Sequence, residues 1–282
     1  MTYDRCVSSS AAPSELPDNA VAIDVQGLTL RFGHLTAVDH IDLQVPYGAV
    51  FGLLGANGAG KSSTIKMLTT LLPPTSGSAR VAGYDISASP HEVRRRIGYV
   101  PQMLSADGAL TGRENLLLSA RLYEVPRKER RYRINTALAF MGLSDSADRL
   151  VKTYSGGMVR RLELAQAMLH KPAVLFLDEP TIGLDPVARH AVWKHLTDLN
   201  QEFRLTVLLT THDMEEADHL CTEVAILQAG RVAIRGTPSE LKAEIGEHAS
   251  LDDVFARFCG SSSDAGRLTD TADARTVARR LG

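Results

Sequence analysis

The nonapeptide Gly-Ala-Asn-Gly-Ala-Gly-Lys-Ser-Ser, residues 55–63, has the spacing G-x-x-x-x-G-K-[ST]. It follows the apolar run 50–54, which predicts a strand, and precedes residues 64–68, whose pattern predicts a helix that ends by Pro73. This motif needs a strand before it and a helix after it. Glycines allow backbone N–H groups to point inward, and the helix start adds its positive dipole end. The stretch therefore predicts a phosphate-binding loop.

Two side chains of this loop have the chemistry of a triphosphate site. Lys61 would reach the β- and γ-phosphates, and the hydroxyl of Ser62 would take one position on Mg²⁺. The alternative is a glycine-rich turn that binds nothing. The flanking strand and helix and the three fixed residue types favour the phosphate site.

Length and composition limit the class of protein. The 282 residues can form one large α/β domain or two small ones. A net charge of -2 gives no indication that the protein binds a polyanion, so no nucleic-acid partner is expected. Cys6, Cys221 and Cys259 lack pairing or metal-ligand spacing, which fits a reducing cytoplasm with Cys221 buried in the core. There is no signal-peptide pattern and no apolar run of roughly 18 residues, so we expect a soluble chain.

The remaining patterns outline the fold. Alternating apolar residues over 23–50 predict strands, and the continuous apolar runs 173–177 and 205–210 predict strands covered on both faces. Helical spacing dominates residues 110–143, and 223–235 predicts a hairpin. We therefore expect a parallel-sheet core with a mainly helical insert near residues 101–165.

Asp178 and Glu179 come at the end of the first buried run, where parallel sheets place ligand chemistry. A carboxylate there can hold the Mg²⁺ shell, and its neighbour can orient attacking water. We assign Asp178 to the metal and Glu179 to the water. The alternative is a surface acidic pair before Pro180, and the phosphate loop in the same chain argues against it.

Ser155-Gly156-Gly157 precedes a segment with helical spacing and predicts a second anion site. Taken alone, this stretch also fits a plain helix cap with a Gly-Gly turn. One phosphate group rarely needs two such anion-binding sites from one domain. We therefore expect the second anion-binding site of each chain to contact a nucleotide held by a partner.

These segments together resemble the ATPase subunits of ATP-binding-cassette (ABC) transporters over about residues 23–240. The matching motifs, in chain order, are the stacking aromatic Phe32, Walker A at 55–62, the Q-loop residue Gln102, the signature at 154–158, Walker B at 173–179, the D-loop at 183–185 and the switch residue His212. Tyr154 and Met158 replace the usual Leu and Gln of the signature, a form similar to the bacterial drug-exporter branch typified by daunorubicin-resistance ATPases.

The resemblance implies an α/β fold: a P-loop NTPase core with a mainly parallel sheet, an N-terminal antiparallel β subdomain and an inserted α-helical subdomain. The boundaries that it implies are a flexible lead at 1–20, an ATPase domain at 21–245 with the helical insert at 101–165, and a partly mobile C-terminal extension at 246–282.

The resemblance also assigns roles for ATP and Mg²⁺. It implies catalytic roles for Glu179, His212 and Lys61, and Mg²⁺ binding by Ser62, Gln102 and Asp178. The nucleotide-binding residues that it implies are Phe32, Gly55, Asn57, Gly58, Gly60, Lys61, Ser62, Ser63 and Gln102, with Ser155, Gly156, Gly157 and Asp185 acting across a dimer.

The implied function is ATP hydrolysis that drives export of a drug-like or other lipophilic compound through a separate transmembrane permease. The chain would lie at the cytoplasmic face of the cell membrane, contact the permease near residues 101–125, and dimerise with itself or a second ATPase. A soluble ABC-type ATPase of DNA repair or translation is the alternative, but the tandem cassettes, coiled-coil insertions and zinc cysteines of that class are not visible. A module that binds ATP without turnover is disfavoured by the presence of both Glu179 and His212.

Overall fold

The computed structural model describes residues 20–259. The expected lead before residue 20, Cys6 and the part of the expected C-terminal extension from residue 260 onward lie outside the described residues. The described strands are β1 (Val21–Phe32), β2 (Leu35–Pro46), β3 (Val50–Leu54), β4 (Ser76–Val81), β5 (Tyr84–Asp85), β6 (Ile97–Val100), β7 (Val174–Asp178), β8 (Thr206–Thr211), β9 (Glu223–Gln228) and β10 (Arg231–Gly236).

Helices cover most of the remaining described chain. The described α-helices are α1 (Lys61–Leu68), α2 (Pro90–Arg96), α3 (Gly112–Leu122), α4 (Arg127–Phe140), α5 (Gly156–Met168), α6 (Pro186–Phe203), α7 (Met214–Leu220), α8 (Pro238–Ile245) and α9 (Leu251–Cys259). No helix within residues 20–259 is both long enough and apolar enough to cross a membrane.

Two sheets organise these elements. One sheet has the antiparallel order β2-β1-β4-β5, and the other has the order β10-β9-β3-β8-β7-β6. In the second sheet β6, β7, β8, β3 and β9 run parallel, and only β10 pairs antiparallel, as the second strand of the expected hairpin. The expected α/β class with a mainly parallel sheet and an N-terminal antiparallel sheet is confirmed.

The large sheet is covered on both faces. Along β7, Val174 and Phe176 join the core that faces the antiparallel sheet and α1, whereas Leu175 and Leu177 join the core beneath the helices. Successive side chains of a strand point to opposite faces, so a strand buried on both sides is apolar over most of its length. In β7 only the last residue, Asp178, is polar. This explains the continuous apolar run in the sequence.

The strand register brings the ends of β3, β7 and β8 to one edge. Leu54, the last residue of β3, pairs with Thr211 of β8, and Asp178 of β7 pairs with Thr210. The loop that begins at Gly55 therefore starts beside the residues that follow β7 and β8. The helical stretch expected over 110–143 corresponds to α3 and α4, while the domain boundaries stay a prediction.

Candidate functional site

Residues 55–60 form a tight loop between β3 and α1, and Lys61 is the first residue of that helix. The Lys61 ammonium lies inside the loop and donates to the carbonyl oxygens of Gly55 at 2.7 Å and Ala56 at 3.2 Å. Its side chain is only 4% exposed. The first helical N–H groups have no partner within the helix, so they point to the same space and can bind an anion.

Gly60 shows why this loop requires glycine. Its φ is 105°, and a Cβ atom at this position would lie 2.6 Å from the carbonyl oxygen of Ala37. Gly58 also has a positive φ, 84°, but a Cβ there would meet nothing within 4 Å. The loop therefore depends on the backbone freedom of both glycines and on the missing side chain of Gly60.

Asp178 is buried and receives two hydroxyl donors. Ser62 Oγ donates to Asp178 Oδ1 at 2.9 Å, and Thr210 Oγ1 donates to the same oxygen at 2.6 Å. Thr210 Oγ1 also accepts from the backbone N–H of Glu179 at 3.0 Å. Thr210 was not among the residues expected at the site. The sequence showed only a hydroxyl residue at the end of a buried run, and the fold places that strand next to the strand of Asp178.

Three side chains converge on the carboxylate of Glu179. Lys61 Nζ lies 3.5 Å from Oε1, His212 Nδ1 lies 3.2 Å from Oε2, and Gln102 Nε2 lies 3.4 Å from Oε2. Glu179 is 5% exposed and has a φ of 49°, a left-handed conformation that side chains rarely adopt. The structure thus brings together four residues from four separate segments of the chain.

Tyr99 lies in β6, next to β7, near this cluster. Burial, and secondly the negative charge of Asp178, raise the pKa of Tyr99 to about 12. Its phenol therefore stays neutral at physiological pH and cannot act there as a base.

The second set of expected residues caps two helices. Ser155 caps α5 by accepting from the N–H of Met158 at 3.3 Å, and Asp185 caps α6 by accepting from the N–H of Ala188 at 2.9 Å. Over residues 20–259, no hydrogen bond joins residues 155–157 to the loop 55–63. Gly157 has a packing role as well, because a Cβ there would lie 2.8 Å from Cβ of Ala188.

The aromatic residue expected to contact a base is accessible. Phe32 ends β1, and 48% of its surface is exposed. An exposed ring can stack on a planar base, and such contacts are tolerant of base identity.

The oxygen donors fit a magnesium ion that arrives with a nucleotide. Mg²⁺ is usually held by one or two carboxylates together with substrate phosphates, not by an all-protein cage. Ser62 Oγ and Asp178 Oδ1 are two oxygen atoms of the kind that bind Mg²⁺, and they lie 2.9 Å apart. In the part of the chain from 20 to 259, no group of three or more His, Cys, Asp and Glu residues could hold a metal ion by itself.

Comparison with known proteins points to one family. A family model described as "ABC transporter" matches residues 38–182. The chain is 48% identical over 227 residues to the daunorubicin/doxorubicin resistance ATP-binding protein DrrA of Streptomyces peucetius, a match that covers 80% of this chain and 68% of that protein.

Solved structures show the same fold. An ATP-binding subunit of an ABC transporter superposes with a TM-score of 0.75 and 29% identity, covering 84% of this chain and 99% of that one. A dimeric ATP-binding cassette in a post-hydrolysis state, bound to ADP and Pi, superposes with a TM-score of 0.69 and 25% identity, covering 76% and 98%. By its matched family model and its relatives, the chain belongs to the ABC transporter family, as an ATP-binding subunit with ATPase activity.

Proposed function

We propose that residues 55–63 bind the triphosphate of ATP and that Glu179 orients the attacking water. The observation that carries this assignment is the convergence of Lys61, Gln102 and His212 on the buried Glu179 carboxylate, 3.2–3.5 Å away, beside the loop. In this arrangement Lys61 neutralises phosphate charge, and His212 contacts the γ-phosphate and holds the closed geometry.

Ser62, Asp178 and Gln102 would hold Mg²⁺ in this proposal. When bound, the ion would neutralise charge on the β- and γ-phosphate oxygens. Thr210 supports this set because its hydroxyl fixes one oxygen of Asp178 and also anchors the backbone of Glu179. The metal-binding and water-orienting carboxylates are therefore positioned by one side chain.

We further propose that the active form is a head-to-tail dimer, formed with a second copy or with a paired ATPase. Ser155, Gly156 and Gly157 would then face the nucleotide of the partner, with Asp185 between the two sites. Ser155 and Gly156 are exposed and form no hydrogen bond to the loop 55–63 within the described chain, which is consistent with a role across an interface. One of the similar solved structures is a dimeric ATP-binding cassette, which supports dimer formation.

A groove beside the Gln102 loop is the proposed contact for a separate transmembrane permease. Tyr99, Ser105, Leu122 and Tyr123 line it, with a volume of about 370 Å³. Met103, next to it, is 82% exposed. Exposed apolar side chains beside a groove are typical of protein-interaction sites. This contact would place the chain at the cytoplasmic face of the membrane.

The proposed cargo is a drug-like or other lipophilic compound that is exported. The support is the name of the relative from Streptomyces peucetius, a daunorubicin/doxorubicin resistance ATP-binding protein.

Gln102 would link the metal to the permease surface. We expect Gln102→Ala to uncouple hydrolysis from transport, and unchanged transport with unchanged hydrolysis would contradict this link.

The assignment of Glu179 is tested by Glu179→Gln, which keeps the shape of the side chain. We expect MgATP binding within about 2-fold of wild type and a fall in hydrolysis of at least about 100-fold, because the group that orients water loses its charge. Equilibrium binding and phosphate release measure the two quantities. Near-normal turnover would refute the assignment.

Lys61→Ala is the contrasting variant. Loss of a charge-assisted contact to phosphate should weaken ATP binding itself by roughly 10- to 100-fold. Lys66→Ala is the matched control, because Lys66 is an exposed lysine on the same helix. Unchanged affinity in Lys61→Ala would refute the role of Lys61.

A further inference from the structure

A buried arginine of α5 holds the backbone on which Gln102 sits. Arg160 is 2% exposed. Its Nη1 donates to the carbonyl oxygen of Pro101 at 2.7 Å, and its Nη2 donates to that of Gln102 at 2.9 Å. The planar guanidinium fork thus spans two successive carbonyl groups, a geometry that a lysine ammonium cannot reproduce.

A buried glutamate one turn later holds the other end of the same segment. Glu163 Oε1 accepts from the backbone N–H of Ser105 and from its hydroxyl, the latter at 3.0 Å. Glu163 Oε2 pairs with Arg160 Nη1 at 3.0 Å, and both side chains are 2% exposed. One ion pair therefore contacts residues 101, 102 and 105.

Stability alone does not account for this pair. Two buried charges lose their hydration, and apolar residues of similar volume are often as stabilising or more so. Arg160 also leaves its Nε atom buried without an acceptor in the described part of the chain. The pair therefore adds little to the free energy of unfolding, and a role in placing the Gln102 loop explains its presence better than stability does.

Gln102 depends on this backbone for its position. Its side chain is exposed, and its single hydrogen bond to another side chain in the described chain is the 3.4 Å contact to Glu179. A side chain with so little contact of its own is placed by the main chain that carries it. That main chain is held by α5, the helix that Ser155 caps.

We propose that Arg160 and Glu163 are positioning residues that set Gln102 at the metal side of the nucleotide site. The inference rests on the proposed function of that site. It also makes α5 a rigid connection from residues 155–157, which would face the partner's nucleotide, to Gln102, which would face the chain's own.

The test measures ATP affinity with and without Mg²⁺, in the Glu179→Gln background so that no turnover occurs. The ratio of the two affinities is the magnesium enhancement. We expect Arg160→Met to lower this enhancement by about 10-fold, a typical effect of removing a group that supports a metal ligand. Affinity in EDTA should stay within about 2-fold, because the loop 55–63 is untouched.

A second variant covers a failure of Arg160→Met to fold. Arg160→Met/Glu163→Leu removes both charges together, so no uncompensated charge stays in the core. We expect the same loss of enhancement and faster hydrogen exchange at the amide of Ser105, which no longer has its acceptor. Neither readout requires catalytic activity.

Arg161→Met is the matched control on the same helix. Arg161 is partly buried and donates to the carbonyl oxygens of Met141 at 2.8 Å and Gly157 at 3.4 Å, neither of which belongs to the Gln102 loop. We expect it to lower thermal stability without changing the magnesium enhancement. Adding Arg160→Met to Gln102→Ala should cause no further loss, because the two residues act in series.

Three results would overturn the inference: full enhancement in both Arg160 variants, an equal loss in Arg161→Met, or an additive loss with Gln102→Ala. The proposed function fails separately. If the Glu179→Gln parent itself shows no magnesium enhancement, the metal site is wrong, whatever Arg160 does.

Discussion

Gly60 and Gly58 differ in one respect that matters for substitution. Both have a positive φ, but only Gly60 lacks room for a Cβ atom, which would lie 2.6 Å from a backbone oxygen. We expect Gly60→Ala to lower the free energy of unfolding by roughly 2–4 kcal/mol, from backbone strain plus overpacking. Gly58→Ala should cost about 1 kcal/mol from strain alone.

Denaturant unfolding of the two variants measures this difference. Gly60→Ala should also weaken ATP binding, because the backbone must move away from Ala37 to make room for the Cβ atom, and this displaces the start of α1. Equal stability losses would show that the contact with Ala37 is relieved without cost, and that the crowding at Gly60 does not constrain the loop.

Glu179 combines two costs at one residue. A non-glycine residue with a left-handed backbone is strained by about 1–2 kcal/mol, and its carboxylate is buried. Such strain persists where the surrounding structure holds it, often at functional sites. Here the contacts from Thr210 to its backbone and from Lys61 to its carboxylate hold it.

At the scale of elements, His170 joins the end of α5 to β6. Its ring stacks on Tyr123 at 3.9 Å between centroids, and its Nε2 lies 2.9 Å from the carbonyl oxygen of Ile97. Nδ1 is buried without a partner in the described chain. Burial lowers the pKa of His170 to about 4, because a charged ring would lose its hydration.

This pKa predicts acid sensitivity. Between about pH 6.5 and pH 4 the unfolded chain binds more protons than the folded chain, so the free energy of unfolding falls as pH drops. From pH 7 to pH 5 the contribution of His170 should fall by about 2 kcal/mol. His170→Gln should lose less stability over the same range, as measured by denaturant unfolding at both pH values. Equal losses in the two proteins would contradict the lowered pKa.

At the scale of the whole molecule, the two halves of the proposed site share no hydrogen bond within residues 20–259. Gly156 is exposed and belongs to residues 155–157, which would face the partner's phosphates. We expect Glu179→Gln with MgATP to form a stable dimer, measurable by light scattering. Adding Gly156→Asp should abolish the dimer, because a carboxylate there would repel the phosphates.

The affinity of the monomer for ATP serves as the control in that experiment. It should stay within about 2-fold in Gly156→Asp, because the loop 55–63 is intact. A Glu179→Gln protein that stays monomeric when saturated with MgATP, in solution and in its membrane complex, would refute the dimer. A dimer that persists with Gly156→Asp would place the interface elsewhere.

The core strands and the loop at 55–63 were readable from the sequence. Mainly apolar runs predicted β7 and β8 because a strand buried on both faces has few positions for a polar residue. The loop at 55–63 was predicted because its turn requires glycine at fixed positions. These patterns are local in the sequence, so they can be recognised without knowledge of the fold.

Other features were decided only by tertiary structure. Thr210 reaches Asp178 because β7 and β8 are neighbours in register, and Arg160 reaches Pro101 because α5 packs beside β6. Neither residue type signals its partner, since the pairs lie 32 and 59 residues apart. A local motif specifies its own backbone, whereas a contact between distant segments exists only once sheet order and packing bring the two side chains together.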